Sequence, residues 1–176
     1  MAAALGRERA LRGEIRGALA RGATPGRLDE ALLQLVPFAG YARAINAFRV
    51  LQEIAPHRPR AGRATGSTRR RGEALCRRIY GPVYGRMIAR MRSYHPDLAD
   101  WILTEGYGRV LSRRGLSIRE RELIVVAVLS ALQVPAQLRS HVEGARRVGA
   151  REGEIRAVLR RTGRGQAGAA PSRRDS

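Results

Sequence analysis

The chain has 176 residues and a single cysteine, and its 34 basic side chains against 15 acidic ones give a formal charge of +19. That length suffices to bury about 70% of the unfolded surface in one core, while one cysteine excludes an internal disulfide framework and fits a reducing compartment. All the basic residues are arginine and none is lysine, the mark of a GC-biased coding sequence, so the charge implies only weak, salt-sensitive adhesion to nucleic acid. Met1 is followed by a short alanine run and then charge, without a secretory leader pattern, and no apolar run could span a bilayer. The expectation is a cytoplasmic protein with no membrane partner.

Residues 8–21 read as a helix with Leu11, Ile15, Ala18 and Leu19 on its apolar stripe, ended by Gly22-Ala23. Thr24 then caps a second helix with Pro25 in its first position, and Leu28, Leu32 and Leu35 face inward. Pro37-Phe38-Ala39-Gly40 reads as a turn into a third helix, Tyr41 to Ile54, which is expected to bury Ile45, Phe48 and Leu51 or Gln52 and which Pro56 stops. Residues 57–72 hold six Arg, three Gly and no acid, and read as a basic flexible linker with a solvated His57.

Helical signal returns at Glu73 and runs with breaks to Met91, enclosing Cys76, a small apolar packing residue. His95-Pro96-Asp97 starts another helix, carrying Leu98, Trp101, Ile102 and Val110, with Gly106 and Gly108 loosening its last turn. Tyr80, Tyr84 and Tyr107 read as core or interface aromatics that could line a pocket. Ser117 and Glu120 have capping-box spacing, and from Leu123 to Leu132 only Ser130 is polar, so this helix must be buried on every side. Pro135 opens a helix with Leu138, Val142 and Ala145 on one stripe and Gln137 and His141 on another line. Gly149-Ala150 ends it, and Glu152 and Glu154 open the last helix at the end that favours acid. Residues 161–176 read as a disordered tail. No strand is expected, because Ile124, Val125, Val126 and Val128 lie inside a helical pattern.

Residues 11–32 align with residues 138–159, with eight identities: Leu11, Arg12, Gly17, Ala18, Gly22, Ala23, Gly26 and Leu32. Chance in so biased a composition gives roughly two, so an internal duplication is expected. The copies are unequal. Glu14 stands where His141 stands, and each copy lacks a flanking helix that the other has.

These residues resemble the carboxymuconolactone decarboxylase family, which also contains the alkylhydroperoxidase-like proteins. The resemblance lies in RERELIVVAVLSALQVPAQLRSHVEGARRVGAREGEIRAVL, residues 119–159, and LRGEIRGALARGATPGRLDEALLQLVPFAGYARAINAFRVL, residues 11–51. It implies an all-α helical bundle of the alkylhydroperoxidase-like type, here built from a partly truncated internal duplication, that assembles into a homo-oligomer (trimer or hexamer). The division expected is a first, incomplete repeat at 5–56, the linker at 57–72, a second repeat at 73–160 and the tail at 161–176.

The peroxidase branch of that family carries C-x-x-C on the helix of the histidine; Val134 and Gln137 occupy those positions here, while His141 and, one helix earlier, Glu122 are kept. A thiol mechanism needs a thiolate and a resolving partner, so peroxiredoxin-like activity through Cys76 alone is disfavoured. The decarboxylase branch also lacks the cysteines, and its Q-L-R-S-H segment resembles Gln137 to His141. That resemblance implies removal of carbon dioxide from a small carboxylated lactone without cofactor or metal. His141 is then the acid/base and Glu122 its partner, with Arg139 and Gln137 as substrate-binding groups. The three histidines have no Cys or acid at ligand spacing, so no metal site is expected. The remaining alternative is a non-catalytic basic protein that binds nucleic acid.

Overall fold

The computed structural model describes residues 1–59, 62 and 66–167. Among them the secondary structure is helical throughout, with no strand: α1 (Ala2–Leu5), α2 (Glu8–Ala20), α3 (Pro25–Leu33), α4 (Leu35–Ala39), α5 (Tyr41–Ile54), α6 (Thr68–Tyr80), α7 (Tyr84–Tyr94), α8 (Pro96–Trp101), α9 (Ile118–Ala131), α10 (Pro135–Arg147) and α11 (Glu152–Ala167). A 3₁₀ turn at Gly81–Val83 joins α6 to α7, and a ten-residue π-helical segment, Ile102–Leu111, follows α8. No helix among the described residues is long and apolar enough to cross a membrane.

Local chemistry sets the helix starts. Thr24 Oγ1 accepts from Arg27 N at 3.3 Å with Pro25 in the first turn. Ser117 and Glu120 form both halves of a capping box, and His95 caps α8 through Nδ1, which accepts from Asp97 N at 3.1 Å. Each satisfies a backbone N–H that the helix itself cannot.

α9 is the axis of the bundle. From Leu123 on, its apolar surface meets three separate cores: Val128 joins the core of α1 to α5, Val125 and Leu129 that of α6 to the π-segment, and Val126 that of α10 and α11. A helical stretch without a polar side has to be covered all round, and here each side has its own cover.

The two aligned copies share a hydrogen-bond grammar at a constant offset of 127 residues (138 − 11). Arg7 N donates to Ala2 O and Val134 N to Leu129 O; Ala23 N donates to Ala18 O and Ala150 N to Ala145 O, all at 2.9–3.1 Å. The left-handed residues match too: Gly6 (φ 68) with Gln133 (φ 56), and Gly22 (φ 88) with Gly149 (φ 92). Such 6→1 closures with an αL residue are how a chain leaves one helix and immediately enters another. The correspondence therefore includes the short α1, which stands before α2 as the end of α9 stands before α10.

Several expectations from the sequence are corrected. Pro37 to Ala39 lie in a short helix rather than a turn. α5 buries Ala44, Ala47, Val50 and Leu51 and leaves Ile45 and Tyr41 exposed. The small residues let α1 and α2 approach α5 closely, and that outweighs hiding one large side chain. Trp101 is exposed as well. Of the segment read as linker, residues 68–72 are helical, because Ser67 caps α6 by accepting from Arg70 N. Residues 60, 61 and 63–65 lie outside the described residues, as does 168–176 of the segment read as tail, whereas 161–167 continue α11.

His57 is not solvated but tied down. Nε2 lies 2.8 Å from Asp29 Oδ2 and Nδ1 lies 2.9 Å from the Ala55 carbonyl. Both ring nitrogens face acceptors, so both bonds require the imidazolium. Asp29 first, then the Ala55 carbonyl, raise the His57 pKa above its usual value. A raised folded pKa stabilises fully below the unfolded value, about 6.5, and the contribution is lost as pH rises through the folded value. As pH rises above about 6.5, wild type is expected to lose stability that His57→Gln does not lose, measured by urea unfolding across a pH series. Parallel pH profiles for the two would exclude the tie as a source of stability.

Candidate active site

The site forms where α10 folds back along α9. The turn between them needs a residue at positive φ, which Gln133 supplies, and Pro135 then starts α10. His141, two turns on, meets Glu122: Nδ1 to Oε2 is 2.9 Å, with both side chains buried. A carboxylate at Nδ1 holds the proton there and leaves Nε2 as the ring nitrogen turned away from Glu122. The other carboxylate oxygen, Glu122 Oε1, is buried without a hydrogen-bond partner.

Aromatic rings frame the imidazole. Phe38, from α4, and Tyr80, from the end of α6, each present an edge-type contact, at centroid distances of 5.6 Å and 6.1 Å. Tyr107 reaches in from the π-segment and donates to the Tyr80 hydroxyl at 3.0 Å. Desolvation pushes the Tyr80 hydroxyl up to about 12 and that of Tyr107 well above its usual value, so both are neutral. Cys76 is fully buried nearby; burial first, and Glu122 second, push its thiol up to about 12. Gly144, one turn past His141, makes room: a Cβ there would stand 2.6 Å from Ile79 Cγ2 and 2.9 Å from Glu122 Oε2.

Of the residues singled out in the sequence, the fold thus brings His141 and Glu122 together. Gln137 is exposed one turn before His141 on the same line of α10. Arg139 is exposed and lies two positions, about 200°, around the helix from His141, so the fold does not bring it to the pair. Arg147, also exposed, donates through Nη1 to the Ile79 carbonyl at 3.3 Å, one residue before Tyr80. Phe38 and Gly144 had no local sign that they meet the pair, since each does so through contacts between helices distant in sequence. At the position of His141 in the first copy, Glu14 accepts from the backbone N of Ala2 at 3.1 Å and 3.2 Å and from the Met1 amino group.

Two copies of one helix-turn-helix grammar around a central helix that is apolar beyond Glu122, with a buried histidine–glutamate pair on the second copy, define a class of small all-α proteins. The chain belongs to the carboxymuconolactone decarboxylase family, whose sequence model matches residues 1–53 and 96–170. It is similar to peroxisomal protein 2 of Schizosaccharomyces pombe, with 36% identity over 135 residues, 73% of this chain and 63% of that protein. It is also similar to peroxisomal protein 2 of Saccharomyces cerevisiae, with 28% identity over 160 residues, 73% of this chain and 56% of that protein. The chain thus spans less than two thirds of either relative, and their shared name states no reaction. Cys76 and Tyr80 fall in the stretch between the two matched segments, whereas Phe38, Tyr107, Glu122 and His141 fall within them.

Proposed function

We propose that the chain carries out cofactor-free acid/base chemistry of the decarboxylase kind on a small carboxylated, lactone-type substrate, with His141 as proton carrier and Glu122 as the group that orients it. The observation supporting this most directly is the buried 2.9 Å contact between His141 Nδ1 and Glu122 Oε2. In this reading the bond from ring carbon to carboxylate breaks, carbon dioxide leaves, and the electron pair spreads onto the lactone carbonyl as a dienolate. The imidazolium Nε2–H then protonates carbon and is recharged from solvent, one proton for each carbon dioxide released. Gln137 is a polar substrate contact, Arg147 the cation for the substrate carboxylate, and Arg139 a group of the outer rim.

The test is carbon dioxide release from a panel of carboxylated unsaturated lactones by wild type, His141→Ala and Glu122→Gln. His141→Ala is expected to lower turnover about 10²–10⁴-fold, the usual weight of a positioned acid/base, and Glu122→Gln to lower it by less. Equal turnover by all three would remove the assignment. Dithiol peroxidase chemistry has nothing in its favour, since the buried Cys76 thiol is held at about 12, against thiolate formation.

Assembly into a trimer or hexamer belongs to the same proposal; the exposed Tyr41 and Ile45, one turn apart on α5, are apolar surface that a second copy would cover. The relatives' name supports a peroxisomal rather than a cytoplasmic location. Nucleic-acid adhesion enters only as a generic, salt-sensitive consequence of the +19 charge.

A further inference from the structure

We propose that the Tyr80 hydroxyl, itself receiving a hydrogen bond from Tyr107, is the donor that holds the oxyanion formed on the substrate beside His141. The inference rests on the acid/base reading above and narrows its substrate to a compound whose carbonyl oxygen takes up negative charge, an unsaturated lactone or ketone.

The argument starts from proton inventory. A tyrosine has one O–H to donate. Tyr107, almost wholly buried, spends its own on Tyr80 at 3.0 Å. Tyr80 therefore accepts from Tyr107 and keeps its proton, which finds no acceptor among the described residues. Tyr80 is half-buried, unlike Tyr107, and its ring lies against the His141 imidazole. The unused donor thus sits at the accessible end of the hydroxyl pair, beside the ring that moves the proton. Both hydroxyls are neutral, as hydrogen-bond donors to an oxyanion must be, and accepting from Tyr107 strengthens the Tyr80 donor.

The scaffold places this pair with unusual means. Tyr107 lies in the π-helical segment, a geometry that is rare and concentrates at functional sites. Next to it, Gly108 approaches the Thr68 carbonyl so closely that a Cβ would collide with it, and Gly72 on α6 stands in the same relation to the Leu103 carbonyl. The two backbones meet without side chains between them, which sets Tyr107 at hydrogen-bonding distance from the end of α6. Tyr80 itself lies on α6, between the two segments the family's sequence model matches.

The test uses binding rather than turnover. Substituted phenols of phenol pKa 6–8 present a phenolate oxygen that mimics a dienolate, and their methyl ethers present the same ring without it. Affinities of both sets are measured by calorimetry for wild type, Tyr80→Phe, Tyr107→Phe and His141→Ala, with circular dichroism confirming the fold. Wild type is expected to prefer the phenolates, Tyr80→Phe to lose that preference at least tenfold, Tyr107→Phe to lose part of it, and His141→Ala to retain it. If substrate turnover is found, Tyr80→Phe is expected to lower it about 10²–10³-fold, as loss of one oxyanion donor does elsewhere. An unchanged preference in Tyr80→Phe, or none in wild type, overturns the proposal while leaving the His141 reading to its own test. Preference lost in Tyr80→Phe while His141→Ala turns over normally upholds the oxyanion site and discards the acid/base role. Should Tyr80→Phe not fold, Tyr107→Phe decides, and a preference equal to wild type overturns the proposal.

Discussion

Glu30→Ala is expected to destabilise the protein by about 3–5 kcal/mol, the range for stripping a buried charge of its partner. Glu30, on α3, receives Arg113 through Nη2 at 2.7 Å and Nε at 3.1 Å, and Arg121 through Nη2 at 2.8 Å. Arg121 is 2% exposed, and its Nε and Nη1 have no hydrogen-bond partner. With the carboxylate gone, that guanidinium has only the Arg113 and Arg114 carbonyls, at 2.8 Å and 3.0 Å, and no counter-charge. At roughly 2–4 °C per kcal/mol for a chain of this size the melting temperature should fall by about 10 °C; a fall under about 2 °C would show the cluster to be incidental. Glu30→Gln, which keeps volume and hydrogen-bonding capacity, should fall between.

The same cluster predicts a pH dependence. Burial, the largest single influence, pushes the Glu30 pKa up, but hydrogen bonds from Arg113 and then Arg121, with their charges, outweigh it and hold the carboxyl below its usual value. A depressed folded pKa stabilises above the unfolded value, about 4.3, and the contribution is lost as pH falls through the folded value. Wild type should therefore lose stability more steeply below about pH 4.3 than Glu30→Gln. The consequence reaches the site, because Arg121 anchors α9 to the first half of the chain and the next residue, Glu122, holds His141.

Gly72→Ala is the second large effect, expected at about 3 kcal/mol, the upper end for overpacking. The added methyl would collide with the Leu103 carbonyl oxygen and stand 2.9 Å from Gly108 N. Both obstacles are backbone, so no rotamer change relieves them and α6 must part from the π-segment. Urea unfolding measures the loss. Gly13→Ala in α2 is the control: its Cβ meets nothing within 4 Å, and removing a helical glycine should stabilise by roughly 0.5–1 kcal/mol. Equal stability of the two variants would show that the glycine contact is not close in solution.

Much of the fold was legible in the chain because it depends on neighbours in sequence. Thr24-Pro25, Ser117 with Glu120, and His95-Pro96 mark helix starts through backbone N–H groups within three residues. The aligned copies and the family resemblance brought His141 and Glu122 forward as candidates, although they lie 19 residues apart. A motif printed in a row conceals that a helix turns neighbouring residues to different sides, so Arg139 and His141 leave α10 about 200° apart.

What the sequence determined by itself is the local grammar: where helices begin and end, that α9 is buried all round, that two stretches repeat, and that an imidazole and a carboxylate stand at matching places. Tertiary structure alone decided which faces are covered and which rings meet. Ala44 and Ala47 are inside and Ile45 outside because α1 and α2 come close enough to need small residues. Phe38 and Tyr80 touch one imidazole although they lie 103 and 61 residues from it, and Tyr107 finds Tyr80 through a π-helix that two glycines let in. Caps and αL turns close over a few residues and are readable in the chain, whereas a contact between distant helices depends on every surface that packs between them.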